Sequence, residues 1–88
     1  MQAHPEIFEF PCPFSLKAIG EDLGDYRQFV IDTVRSFVPD LDEAAVTTKK
    51  SQESHFTSVT VLFTAQSRAQ LDQIYQALNQ DERTRYLI

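Results

Sequence analysis

Phe10-Pro11-Cys12-Pro13-Phe14-Ser15-Leu16-Lys17-Ala18-Ile19-Gly20 is the stretch that decides the fold. Its two prolines hold the chain extended, an alternating segment follows, and a glycine closes it. Phe14, Leu16 and Ala18 fall on one side, Ser15, Lys17 and Ile19 on the other. A period of two with one apolar set is a half-buried strand. On its N-terminal side, residues 1–10 carry Pro5 and no sustained period. They are expected to form an extended arm anchored by Ile7, Phe8 and Phe10, with residues 11–88 making one domain.

On the C-terminal side, Gly20 to Gly24 end the strand. Asp25 to Val38 then set Tyr26, Phe29, Val30, Thr33, Val34 and Phe37 along one helical stripe, with Ile31 off it and partly exposed. Asp22 or Asp25 suits the N-terminus of this helix, and Pro39 stops it. After an acidic connection, Ala44 to Ser51 read as a weaker strand, with Val46 and Thr48 inward and Lys49 and Lys50 protecting an edge. Gln52 to Ser54 make a turn. Phe56 to Ala65 alternate clearly, Val59, Val61 and Phe63 opposing Ser58, Thr60 and Leu62. Ser67-Arg68-Ala69-Gln70 is a capping-box signature before the stripe Leu71, Ile74, Tyr75, Leu78. Arg83 to Ile88 read as a last strand, with Tyr86 and Ile88 inward and Arg85 and Leu87 outward.

Four strands with one apolar face and two amphipathic helices pack economically as two layers. The expectation is an α+β, ferredoxin-like split β-α-β (βαββαβ) fold. Its four-stranded antiparallel sheet has the first and third strands at its centre and both helices on one face. Phe14, Leu16, Tyr26, Phe29, Val34, Phe37, Val59, Val61, Phe63, Leu71, Ile74 and Leu78 are the expected core.

A chain of 88 residues makes one domain. A domain this short buries somewhat over ~60% of its unfolded surface, so a homodimer would help its stability. Eight basic against thirteen acidic side chains give a net charge of -5. That excess repels the phosphate backbone and argues against nucleic acid. The single cysteine, Cys12, rules out an intramolecular disulfide and fits a reducing cytoplasm. No leader pattern opens the chain, and no apolar run approaches ~18 residues, which argues against a membrane location.

The stretch Phe10 to Gly20 resembles the opening of the YbeD-like family of small bacterial proteins, which runs from Phe-Pro-x-Pro-Phe into a strand with a Lys and a terminal Gly. His55-Phe56-Thr57-Ser58-Val59-Thr60-Val61 is similar to that family's third strand, and Leu71 to Leu78 to its second helix. The chain departs from the pattern at Cys12, commonly a small hydroxyl residue, and lacks a glycine in the turn 52–54. The resemblance implies the fold argued above and no established activity. It also implies a shape like the ACT regulatory domains that sense amino acids, and a genomic association with lipoate-attachment enzymes. A regulatory module binding a small metabolite or a partner enzyme is therefore the first expectation. The alternative is an adaptor that docks through the open sheet face.

Cys12 has no local cation or helix N-terminus to activate its thiol and reads as inert. His4 and His55 lack further ligands for zinc, and Asp40, Asp42 and Glu43 lack the glycine and distant Glu of a calcium loop, so no metal and no cofactor are expected. RNA-binding domains of this topology stack bases on aromatics of the first and third strands, whereas Ser15, Lys17, Ile19, Ser58, Thr60 and Leu62 stand there. Lys17, Ser58, Thr60 and Arg85 on the open face are the candidate contacts for a carboxylate or an acidic partner. Gly20 and Gly24, bracketing the strand-to-helix loop, are candidate ligand contacts of the ACT type, although Glu21, Asp22 and Asp25 would oppose an anion there. No general acid–base pair, activated nucleophile or phosphate-cradling loop emerges, so the protein is expected not to be an enzyme.

Overall fold

The computed structural model describes residues 9–21, 24–51 and 55–88. Most of the expected arm, His4, the capping candidate Asp22 and the turn 52–54 lie outside the described residues. Strand β1 (Cys12–Glu21), helix α1 (Tyr26–Arg35), strands β2 (Val46–Lys50) and β3 (Phe56–Ala65), helix α2 (Arg68–Asn79) and strand β4 (Thr84–Leu87) follow in the expected order. They form a four-stranded sheet in the order β2-β3-β1-β4, antiparallel throughout. This is the ferredoxin-like arrangement. β1 and β3 pair over their full lengths, from Cys12 opposite Ala65 to Glu21 opposite Phe56. No helix among the described residues is long and apolar enough to cross a membrane.

The core lies between the sheet and the helices. Leu16 and Ala18 from β1, Val59, Val61, Phe63 and Ala65 from β3, Tyr26, Val30, Ile31 and Val34 from α1, and Leu71, Ile74 and Leu78 from α2 are all buried. Because residues directly opposite in a ladder share a face, Lys17, Ile19, Ser58, Thr60 and Leu62 point away from the helices, as the alternation requires.

α2 starts on its expected cap. The Ser67 hydroxyl accepts the Gln70 N–H at 3.1 Å. The Gln70 carbonyl oxygen accepts from the Gln66 N–H (2.8 Å), one residue before the cap, and its amide donates to the Phe37 carbonyl at 3.0 Å, tying α2 to the end of α1.

Several expectations are corrected. Gly20 does not end the strand: β1 runs on to Glu21. Ile31 is buried completely, because α1 packs against α2 as well as the sheet and so needs a wider apolar arc than one stripe. Phe14, Phe29 and Phe37, expected in the core, are half-buried at its rim. α1 ends at Arg35, with one further turn closed by the Val38 N–H on the Val34 carbonyl (2.8 Å). A 3-10 turn over Glu43–Ala45, begun by the Asp42 carboxylate accepting the Ala44 N–H, delays β2 to Val46. Thr48 opposes Val59 on the core side yet stays exposed, since β2 is an edge strand.

β4 departs furthest from expectation. Thr84 and Leu87 face inward, while Tyr86 and Ile88 are 66% and 68% exposed. Ala18 opposes Leu87 and Ile19 opposes Tyr86, but Gly20 opposes Thr84, which leaves Arg85 as an extra residue in a β-bulge. In a strand of period two, facing is all or nothing, and the outward set is the reverse of the expected one at Tyr86, Leu87 and Ile88.

Candidate docking face

The open sheet face is built in rows across the four strands. Lys49 opposes Ser58, Ser58 opposes Ile19, and Ile19 opposes Tyr86. The next row runs Thr47, Thr60, Lys17, and the Lys17 N–H and C=O both bond to Ile88, at 3.0 and 2.8 Å. At one end Phe56 opposes Glu21, and toward the other Leu62 opposes Ser15.

Two properties set this face apart. Phe56, Leu62, Tyr86 and Ile88, the large hydrophobics left exposed among the described residues, all stand on it. In addition, a shallow depression of about 420 Å³ is lined by Lys17, Lys49, Ile19, Ser58, Phe56 and Tyr86 of this face, and at the β2 edge by Ser51 and Lys50, whose register partner Thr57 faces inward. No carboxylate lines it among the described residues. The arginines lie elsewhere and are mostly engaged: Arg35 with Glu43, Arg68 with Asp72, Arg83 with Asp25 and Asp81, Arg85 with Glu21. Lys17 and Lys49 have no ion-pair partner among the described residues.

Of the residues singled out in the sequence, Lys17 and Ser58 meet in the depression, and Thr60 lies beside Lys17. Arg85 is not part of it. Its guanidinium bonds the Glu21 carboxylate at 2.8 Å and the Glu82 carbonyl at 2.7 Å.

Gly20 is also elsewhere. It is buried on the helix side, where a Cβ would come within 2.6 Å of the Arg83 carbonyl and closer still to Tyr26 Cζ. The Tyr26 ring therefore occupies the space above Gly20, and its hydroxyl bonds Thr84 Oγ1 at 2.9 Å. Burial raises the Tyr26 phenol pKa above its usual value despite that hydrogen bond, so it stays protonated in the physiological range. Gly24 adopts φ +102° in an exposed turn, a conformation that suits glycine. Asp25, in the N-cap position of α1, makes no side-chain cap and instead binds Arg83 at 2.7 Å.

Arg83 itself carries no signal in the sequence beyond its two-residue spacing from Asp81. It sits 4.6 Å over the Phe29 ring, between Asp25 and a bidentate Asp81, and joins the start of α1 to the start of β4. The exposed residues of this face that sequence reasoning passed over are Phe56, Tyr86 and Ile88. Counting back from Val59 already puts Phe56 outward, whereas Tyr86 depends on a bulge that no local pattern announces.

A family model described as a protein of unknown function (DUF493) matches residues 5–88. The chain belongs to the DUF493 family. A UPF0250 protein of Chromobacterium violaceum is 44% identical over 73 residues, 83% of this chain and 82% of the relative. One from Neisseria gonorrhoeae (strain NCCP11945) is 40% identical over 76 residues, 86% of this chain and 84% of that one. The family therefore agrees with the YbeD-like resemblance carried by Phe10 to Gly20. The solution structure of HP0495 from H. pylori superposes with a TM-score of 0.68, covering 100% of this chain and 98% of that one at 11% identity. At that identity the likeness between the DUF493 chain and HP0495 concerns the fold alone.

Proposed function

We propose that this DUF493 protein is a non-catalytic regulatory module that docks onto a partner enzyme through the open face of its sheet. The observation that carries the reading is the coincidence, on one face, of the exposed large hydrophobics with Lys17 and Lys49. Large apolar side chains left exposed together on one face are the usual mark of an interaction surface. A shallow face gives little exclusion of water, which acid–base and nucleophilic chemistry need, so binding is favoured over catalysis. An acidic chain with Lys17 and Lys49 on one face presents a local attraction for acidic surfaces within an overall repulsive field.

A second reading rests on the same depression. Lysines beside Ile19, Phe56 and Tyr86 suit a small carboxylate with an apolar tail, and the family resemblance makes lipoate and octanoate the acids to try. The loop between Gly20 and Gly24 is the weaker place for a metabolite, since the Tyr26 ring fills the space over Gly20.

The test is a capture from bacterial lysate with wild-type protein and with Lys17→Glu, alongside NMR titrations with amino acids, lipoate and octanoate. Loss of a captured enzyme on Lys17→Glu supports docking, while shifts confined to Lys17, Ile19 and Tyr86 on adding an acid support the second reading. A capture profile indifferent to Lys17→Glu, with no shifts from any acid, would remove the open face as the site.

A further inference from the structure

The open face has a polar, cationic centre and apolar corners. Lys17, Ser58 and Thr60 occupy the middle of the two central strands, while Phe56, Leu62 and Tyr86 stand around them. Building on the docking reading above, we infer that the occupant of this face is an extended polypeptide segment whose sheet-facing side carries acidic residues between large apolar ones. Dimensions, charge and chemistry all favour it.

Phe56 and Leu62 are six residues apart on β3, which at ~3.3 Å per residue is roughly 20 Å. The row from Lys49 to Tyr86 crosses three strand spacings, roughly 14 Å at ~4.8 Å each. Octanoate or lipoate would reach one corner and leave the others wet, whereas an extended segment of about six residues covers the long dimension.

Charge selects the polar positions of that segment. Lys17 and Lys49 have no ion-pair partner among the described residues, and the Ser58 and Thr60 hydroxyls beside them can donate to a carboxylate oxygen. Unlike guanidinium forks, ammonium groups make no planar bidentate demand, so carboxylates spaced every second residue meet them without a fixed register. The apolar corners select large apolar residues at the two ends of that same side. They also count against an RNA strand, because among the described residues of this face only Phe56 and Tyr86 offer a stacking ring, and the chain's net charge of -5 repels a polyanion.

The test uses a capped heptapeptide with leucine at both ends, glutamate at its third and fifth positions and serine between, so that leucines and glutamates share one side. It is titrated into the isotope-labelled full chain and followed by NMR. A leucine–lysine peptide of the same pattern, oligouridylate and octanoate are titrated in parallel. The expected result is saturable shifts at Lys17, Ser58, Thr60 and Tyr86 with the leucine–glutamate peptide alone. Lys17→Glu and Tyr86→Ala should each weaken binding by roughly tenfold, as loss of one charge-assisted or one aromatic contact does. Both positions are exposed, and an unchanged thermal unfolding curve shows that the variants fold.

Equal binding of the lysine peptide, tighter binding of oligouridylate, or absence of binding overturns the inference. If a lysate partner is lost on Lys17→Glu yet is not competed by the leucine–glutamate peptide, the docking reading stands and this inference fails. If capture ignores Lys17→Glu, both fail.

Discussion

Gly20 shows how much one missing Cβ can organise. Tyr26 rests on it, bonds Thr84, and so locks the start of α1 onto the bulged edge of β4. Gly20→Ala is expected to destabilise the protein by about 2 kcal/mol, the scale of overpacking a closed core, as read from urea unfolding midpoints. Tyr26→Leu should recover part of that loss in the double variant, because the shorter side chain leaves room for the methyl. Residue-scale electrostatics centre on Arg83. Its hydrogen bonds to Asp81 hold that carboxyl down at about 2, below the ordinary 3.8. A depressed carboxylate pKa contributes stability that is complete above the unfolded value and is lost as pH falls through the folded one. The stability gap between wild type and Asp81→Asn should therefore be present at pH 6 and close between about pH 4 and 2, as measured by unfolding midpoints across that range. Neither contact was legible in the sequence: a glycine at a strand end reads as a breaker, and an Asp-x-Arg triplet reads as solvated charge. Both readings change only when α1 arrives from elsewhere in the chain.

Among the elements, α2 and β3 follow their sequence signals most closely. The Ser67 cap, the Leu71-Ile74-Leu78 burial and the alternation from Thr57 to Ala65 all appear as their periods require. Ser67→Ala should lower stability by about 1 kcal/mol, whereas Ser67→Asp, which keeps an acceptor for the Gln70 N–H, should retain most of it. Circular dichroism melts of the two variants check this directly. β4 behaves differently. Its four residues hold too few apolar positions to fix a face, so the bulge at Arg85 decides which side chains turn outward. Ile31 makes the same point for α1: the stripe predicts one contact surface, and packing against both α2 and the sheet requires two.

At the scale of the whole molecule, stability is concentrated in the central pair. β1 and β3 match over ten positions each, are covered on one side by both helices, and are flanked by shorter strands. Amides that join β1 to β3, such as those of Leu16 and Val61, should therefore exchange slowest with solvent, and those of β2 and β4 markedly faster. Exchange measured residue by residue by NMR would show uniform rates across the four strands if cooperativity extended evenly through the sheet. The element order, both layers and most of the core could be read from periodicity, since apolar spacing of two or about 3.6 is a local property of the chain. The outward placement of Lys17 and Ser58 followed from the same alternation. Gathering Lys49, Phe56 and Tyr86 around them did not, because it depends on strand register, on one bulge and on which strands become neighbours. Those are long-range choices made by packing, and only the folded chain reveals them.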